Sequence, residues 1–380
     1  MTFNYSCRPI GGPRPRRGAR TTAFSLVELL TVIFIISLLI GILIPSINSA
    51  RNTAKKATTS KVLTSVRVGM EMFKNDNGTD FRLTNGYPPS FQHPPIPDYA
   101  GNDVLHEGRF PFPRGTADTK PVVYGAHWLP AMLMGVDNLG YVKRSAVPRS
   151  TQDLRRSPWL WYEVDPNAET LYVPQRQPFY LDPGNTRTKA TKDLPGRPPE
   201  QQDKFFPNWE EMNTLPVVVD AFDQPILYYA ANTHGKVTNM VEGLREENRE
   251  YTGGAQQEGV PFYFHQDNIG FTGSGVSKDE RGWNFGGRLR RTGEEEIKLL
   301  HAIAVSGADL TPDRFILADN RETFARYIVD RKTYQSIGQN TSPNLPLRPV
   351  NADTYLLISA GPDGLYGNND DVNNMPAWPD

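Results

Sequence analysis

After a polar leader the chain runs unbroken and apolar as FSLVELLTVIFIISLLIGILIP, Phe24 to Pro45, and then switches to a spaced pattern. Phe24 to Ile44 is 21 residues. At about 1.5 Å per residue, a helix of that length crosses a hydrocarbon core of about 30 Å. Beyond Pro45, Ile47, Ala50, Ala54, Ala57, Val62, Val66, Met70 and Phe73 recur at steps of mostly three or four, with Lys55, Lys56, Lys61 and Arg67 between them. That is one apolar face of a helix. Asn77-Gly78 supplies a stop signal. Together the two patterns predict a single helix from Phe24 to about Asn75, roughly 75 Å long. Pro45 in its interior removes a backbone hydrogen bond and is a candidate kink. The stripe is expected to pack on a sheet.

Further along, punctuation replaces periodicity. Gly86 to Trp209 is rich in proline and aromatics, as in YPPSFQHPPIPDY, RFPFPRG, SPWLWYEVDP and LPGRPPE. Prolines break regular elements, so this stretch reads as ordered loops with short strands. His127 to Met134 reads as a short helix, and Trp159, Trp161 and Tyr162 as local core or an exposed recognition surface. Lys236 to Gly293 is polar, and its glycine-rich stretch Gly270 to Gly275 reads as a flexible loop. No internal repeat is evident. The boundaries that result are a leader at 1–23, an apolar helix at 24–45 and its amphipathic continuation at 46–78. A proline/aromatic insertion at 79–210 and a sheet region at 211–380 follow.

Charge changes the picture at the start of the chain. A secretory signal has a shorter apolar region, followed by a small-residue cleavage site; no such site follows Ile44. A plain signal anchor remains an alternative. Glu28 lies inside the apolar run, and an intramembrane carboxylate is costly unless paired, so it reads as a functional residue or as a hydrated carboxylate near the interface. The leader carries Arg8, Arg14, Arg16, Arg17 and Arg20 with no acid, so its removal takes the formal net charge from −1 to −6. A mildly acidic chain argues against nucleic acid as a partner. Cys7, the single cysteine, lies in the leader too, so a chain shortened there has no disulfide or catalytic thiol. Arg51, Lys55, Lys56 and Lys61 follow the apolar run closely, so charge bias orients it only weakly.

The segment AFSLVELLTVIFIISLLIGILIP resembles the class III signal of type IV pilins and type II secretion pseudopilins. The resemblance implies a cut by prepilin peptidase between Ala23 and Phe24, followed by methylation of Phe24. With Phe24 first, Glu28 and Pro45 fall on the fifth and twenty-second positions, which carry Glu and Pro in that family. Ala23 departs from the family's usual glycine. Glu28 would neutralise the new amino group of a neighbouring subunit's Phe24 and so set the stagger of packed helices. EMFKNDNG, then YPPS, DAFDQPILYYAAN and the C-terminal YLLISAGPDG resemble segments of the major pseudopilin branch in the same order. Ala221 and Asp223 stand where that branch has proline and glycine. The resemblance implies an α+β pilin-like fold, a long helix on an antiparallel sheet. It also implies an inner-membrane anchor with the C-terminal part in the periplasm, and assembly into a homo-oligomeric filament with other pilin-like subunits.

The same branch carries a calcium loop after its last strand. Here Asp363-Gly364, Gly367, Asn368, Asn369, Asp370 and Asp371 place glycine turns beside hard oxygen donors. Calcium takes six to eight such oxygens and tolerates irregular geometry. Asp363, Asp370 and Asp371, with backbone oxygens at Leu365 and Tyr366, are the candidate ligands for Ca2+. An ordinary Asp/Asn/Gly turn is the alternative. The spacing is not that of an EF-hand.

Catalytic motifs are lacking. The six histidines, His93, His106, His127, His234, His265 and His301, show no metal-ligand spacing. There is no G-x-S-x-G, Walker loop or H-E-x-x-H. His265 near Asp267 reads as a surface turn or a dyad. Three functions stand: a structural filament subunit, a minor or tip subunit binding a ligand through the insertion, and a membrane-anchored enzyme or binding protein.

Overall fold

A computed structural model describes residues 26–78, 81, 84–90, 123–135, 138–141, 177–196, 215–232, 262–273, 282–283, 285, 289–292, 295–298, 301, 303, 324, 327–328, 330 and 349–376. Ala23, Phe24 and the Trp159–Tyr162 cluster lie outside these residues. The chain divides into two compact units, residues 1–51 and residues 52–380.

Helix α1 runs from Leu26 to Asn77, with Pro45 in its interior. In the second unit its buried face is Thr59, Leu63, Val66, Gly69, Met70, Phe73 and Asn77. Val66, Met70 and Phe73 of the expected stripe are therefore buried, whereas Ala54 and Ala57 are exposed and Leu63 is buried where half-buried Val62 was expected. Burial begins at Thr59 because that is where a turn of the sheet region reaches the helix: the Ala221 amide donates to Thr59 Oγ1 at 3.2 Å. Gly69 is there for proximity. A Cβ at this position would lie 2.5 Å from the Tyr180 carbonyl oxygen. One turn on, the Phe73 ring meets Phe81, Tyr141 and Tyr180 at centroid distances of 5.4–5.6 Å. The helix ends at Asn77, whose Nδ2 donates to Tyr180 Oη at 2.9 Å.

The predicted short helix is α2, Gly125–Leu133, with every residue buried. Strands β1 (Thr188–Ala190) and β2 (Pro216–Val218) form an antiparallel pair. Strands β3 (Leu227–Ala230), β6 (Tyr355–Ser359) and β7 (Val372–Asn373) form an antiparallel sheet in the order β3-β6-β7. Strands β4 (Leu289–Thr292) and β5 (Glu295–Lys298) pair separately. Leu227 faces Ile358 and Ala230 faces Tyr355 across the β3–β6 ladder. All residues of β3 and β6 are buried, which fits continuous rather than alternating apolar sequences. α2 packs on β2 and β3. The architecture is α+β, a long N-terminal helix with small antiparallel sheets, compatible with a pilin-like fold.

Two expectations give way. Ile269–Thr272 is a short helix, α3, not part of a flexible loop, and Gly270 is buried where a Cβ would meet the Tyr124 ring. His265 and Asp267 are not on a surface turn. Both are buried: His265 Nε2 shares a hydrogen bond with Thr272 Oγ1, and Asp267 Oδ2 accepts from Ser90 Oγ at 2.6 Å. Ser90 Oγ in turn accepts from the Ala230 amide, so this carboxylate secures an edge of β3.

Candidate functional site

The apolar section of α1 is uncovered by its own chain. The large apolar side chains from Leu26 to Ile47 are 41–77% exposed. Its hydroxyl side chains bond back to the helix: Thr31 Oγ1 donates to the Glu28 carbonyl and Ser37 Oγ to the Ile33 carbonyl. Glu28, exposed in the first turn, is the one ionisable side chain between Leu26 and Ala50. Among the described residues α1 is the one helix long and apolar enough to cross a membrane. Exposed apolar surface of this extent marks a site of interaction.

A second feature is the turn between β2 and β3. Asp220 is fully buried. Its Oδ1 accepts the amides of Phe222 and Gln224 at 2.7 and 2.9 Å, and its Oδ2 accepts Ser359 Oγ at 2.6 Å. Burial pushes its carboxyl above the ordinary carboxylate range, against the pull of those three donors. Asp223 adopts φ of 68°, the left-handed region that glycine favours. Its carboxylate is held by Arg187 and by Lys189, the latter at 3.3 Å.

The C-terminal loop follows β6 and is anchored by Tyr366. This fully buried ring donates its hydroxyl to the Pro225 carbonyl at 2.6 Å and lies 5.2 Å from the His301 ring. The Tyr366 amide donates to His301 Nδ1, and His301 Nε2 bonds the Trp283 carbonyl at 2.6 Å, which fixes a neutral imidazole. Burial lowers its pKa to about 4. The Tyr366 carbonyl accepts the Ile303 amide. Gly367, at φ of 98°, lies where a Cβ would meet Ile303.

Within the loop, the expected ligands take different parts. Asp363 Oδ1 accepts the Leu365 amide and its Oδ2 accepts Asn368 Nδ2, both at 2.8 Å. Asn368 Nδ2 also donates to the Leu365 carbonyl. The Asp370 amide donates to Asn368 Oδ1, and the Asp370 carbonyl lies against Gly361. Asp371 Oδ2 accepts the Gly367 amide and the Tyr327 hydroxyl at 2.8 and 2.6 Å. Asp371 Oδ1 is shielded from solvent with no hydrogen-bond partner. Burial, with Asp370 and Asp363 nearby, raises this carboxyl well above its ordinary value. Among the described residues no group of three or more His, Cys, Asp or Glu side chains is arranged to hold a metal. The sequence pointed to Asp363, Asp370 and Asp371 but not to Tyr327 or His301, which brace the loop from distant segments. No local pattern marks either.

No known protein family, curated protein or solved structure matches the chain.

Proposed function

We propose that the protein is a pilin-like structural subunit of a type II secretion pseudopilus or related filament, anchored in the bacterial inner membrane with its sheet-bearing part in the periplasm. One observation carries this reading. A helix with an uncovered apolar section and a single carboxylate, Glu28, continues into an amphipathic section whose one face is buried in a separate core. Such a helix suits a subunit that exchanges lipid for neighbouring helices, and the carboxylate within it favours that use over a plain anchor. In this reading prepilin peptidase cuts between Ala23 and Phe24. Glu28 then neutralises a neighbour's Phe24 amino group as the helices pack, and the pair sets their register. The role is structural and non-catalytic.

The C-terminal loop is read as a calcium site. The support is the orphaned Asp371 Oδ1 beside two further carboxylates, a feature that a cation would satisfy. Asp371 would be its first ligand; Asp370, Asp363 and the Leu365 carbonyl, which are not arranged around one point among the described residues, would have to be drawn in on binding.

The test is the N-terminus and intact mass of the protein isolated from its native membrane. A chain beginning at Phe24 with an added methyl group is the expected result. An unprocessed Met1 start in cells with active peptidase overturns the filament reading and favours a membrane-anchored enzyme or binding protein.

A further inference from the structure

From Leu29 to Met70 the sequence has no Asp or Glu, yet it carries Arg51, Lys55, Lys56, Lys61 and Arg67. Lys55 and Lys61 are exposed and Lys56 is half-buried. None of the three lysines forms an ion pair among the described residues. At about 100° per residue, Lys55, Lys56 and Lys61 project near 0°, 100° and 240° around α1. They therefore ring the helix rather than line one face. A protein partner docks on one face; a layer of headgroups surrounds a helix that passes through it. Helical side chains also lean toward the N-terminus, back toward the apolar section, and lysine stems reach along apolar surface to place the ammonium at an interface.

Lys55 has a fixed place at this level. Its Nζ lies 5.1 Å from the centroid of the half-buried Phe222 ring, on the same turn whose Ala221 amide bonds Thr59. A cation and an aromatic ring thus lie together at a point of α1 that follows shortly after the apolar run in sequence. Aromatic and basic side chains are the usual occupants of a membrane interface.

We propose that Lys55, Lys56 and Lys61 form a collar that binds anionic phospholipid headgroups where α1 leaves the bilayer. The assignment rests on the membrane-spanning reading of α1 but not on filament assembly. Its consequence is selective retention of anionic lipid around the unassembled subunit.

The experiment is native mass spectrometry of the full-length, detergent-solubilised protein titrated with phosphatidylglycerol or phosphatidylcholine. The expected result is preferential retention of phosphatidylglycerol. In the triple variant K55Q/K56Q/K61Q that preference falls by roughly an order of magnitude or more, and in K55R/K56R/K61R it is kept. Circular dichroism checks that both variants remain folded. A wild-type protein without preference, or a Gln variant that retains it, overturns the collar. Unchanged lipid retention with weakened subunit association in the Gln variant also overturns it, and assigns the lysines to an acidic neighbouring subunit. Failure of native filaments to contain the protein, with lipid preference intact, removes the filament reading alone.

Discussion

Ser359, the last residue of β6, donates its hydroxyl to Asp220 Oδ2 at 2.6 Å, and both side chains are fully buried. The bond joins the turn before β3 to the strand that pairs with β3, across 139 residues of sequence. Asp220→Ala strands the Ser359 hydroxyl and the Phe222 and Gln224 amides together. It is expected to cost about 3 kcal/mol or more, against about 1 kcal/mol for Ser359→Ala. Denaturant unfolding of both variants and of the double variant checks this, and a strictly additive double variant would refute the coupling.

The substitution Gly69→Ala tests proximity against propensity. Alanine in a helix interior is worth roughly 0.5–1 kcal/mol over glycine, yet its Cβ would sit 2.5 Å from the Tyr180 carbonyl oxygen. The expected outcome is net destabilisation of about 1–3 kcal/mol, read as a lower Tm. A higher Tm would show that the 177–181 strap moves aside freely.

Two buried histidines make the fold acid-sensitive. Burial lowers His127 to about 3 and His301 to about 4, from an ordinary value of 6.5. The unfolded chain therefore binds more protons than the folded one between these values and 6.5. Stability that is present above pH 6.5 is lost as pH falls toward 4. Tm recorded from pH 7 to 4 is expected to drop, and His127→Gln with His301→Gln is expected to flatten the slope while lowering Tm throughout. A slope unchanged in the double variant would exclude these histidines as its source.

Asp371 acts in the opposite direction. Its raised carboxyl keeps a proton in the folded state that the unfolded chain has already released. In chelator, its contribution to stability grows as pH falls from the folded pKa toward the ordinary carboxylate value, and is lost as pH rises. If the loop is the proposed calcium site, the cation would replace that proton, and added calcium is expected to raise Tm by several degrees near pH 7 and progressively less in acid. Asp371→Asn should remove the calcium response while raising Tm in chelator. No calcium response in the wild type would leave the loop as an ordinary turn.

Glu28 is exposed on the isolated chain. Glu28→Ala is therefore expected to leave membrane insertion and thermal stability unchanged but to abolish incorporation into filaments. Sedimentation of sheared filaments beside total membrane levels checks both halves. Normal incorporation would remove the register role.

Much of the long helix was legible because its two halves have simple patterns. The apolar run needs no partner on the chain to be read, and Val66, Met70 and Phe73 follow helical spacing. The stripe was misplaced before Thr59 because periodicity shows which face is apolar, not where the covering element begins. α2 was legible from its composition, although its burial on β2 and β3 depends on residues far along the chain. The C-terminal loop showed its aspartates, but not that Asp363 turns inward to Leu365 and Asn368 while Asp371 is braced by Tyr327. Those distinctions arise from long-range hydrogen bonds that leave no local mark. His265 and Asp267 looked like surface residues because their polarity was read without the hydroxyls of Thr272 and Ser90 that meet them.

The left-handed backbone at Asp223 has a consequence for how such a turn can be spelled. Aspartate tolerates this torsion better than most side chains, and here Arg187 and Lys189 hold its carboxylate at the surface. An acid held by two distant cations thus occupies a torsion that glycine adopts without steric cost. The alphabet of the turn is then wider than any consensus of letters, and relatives are better sought by torsion angle and charge partner than by residue identity.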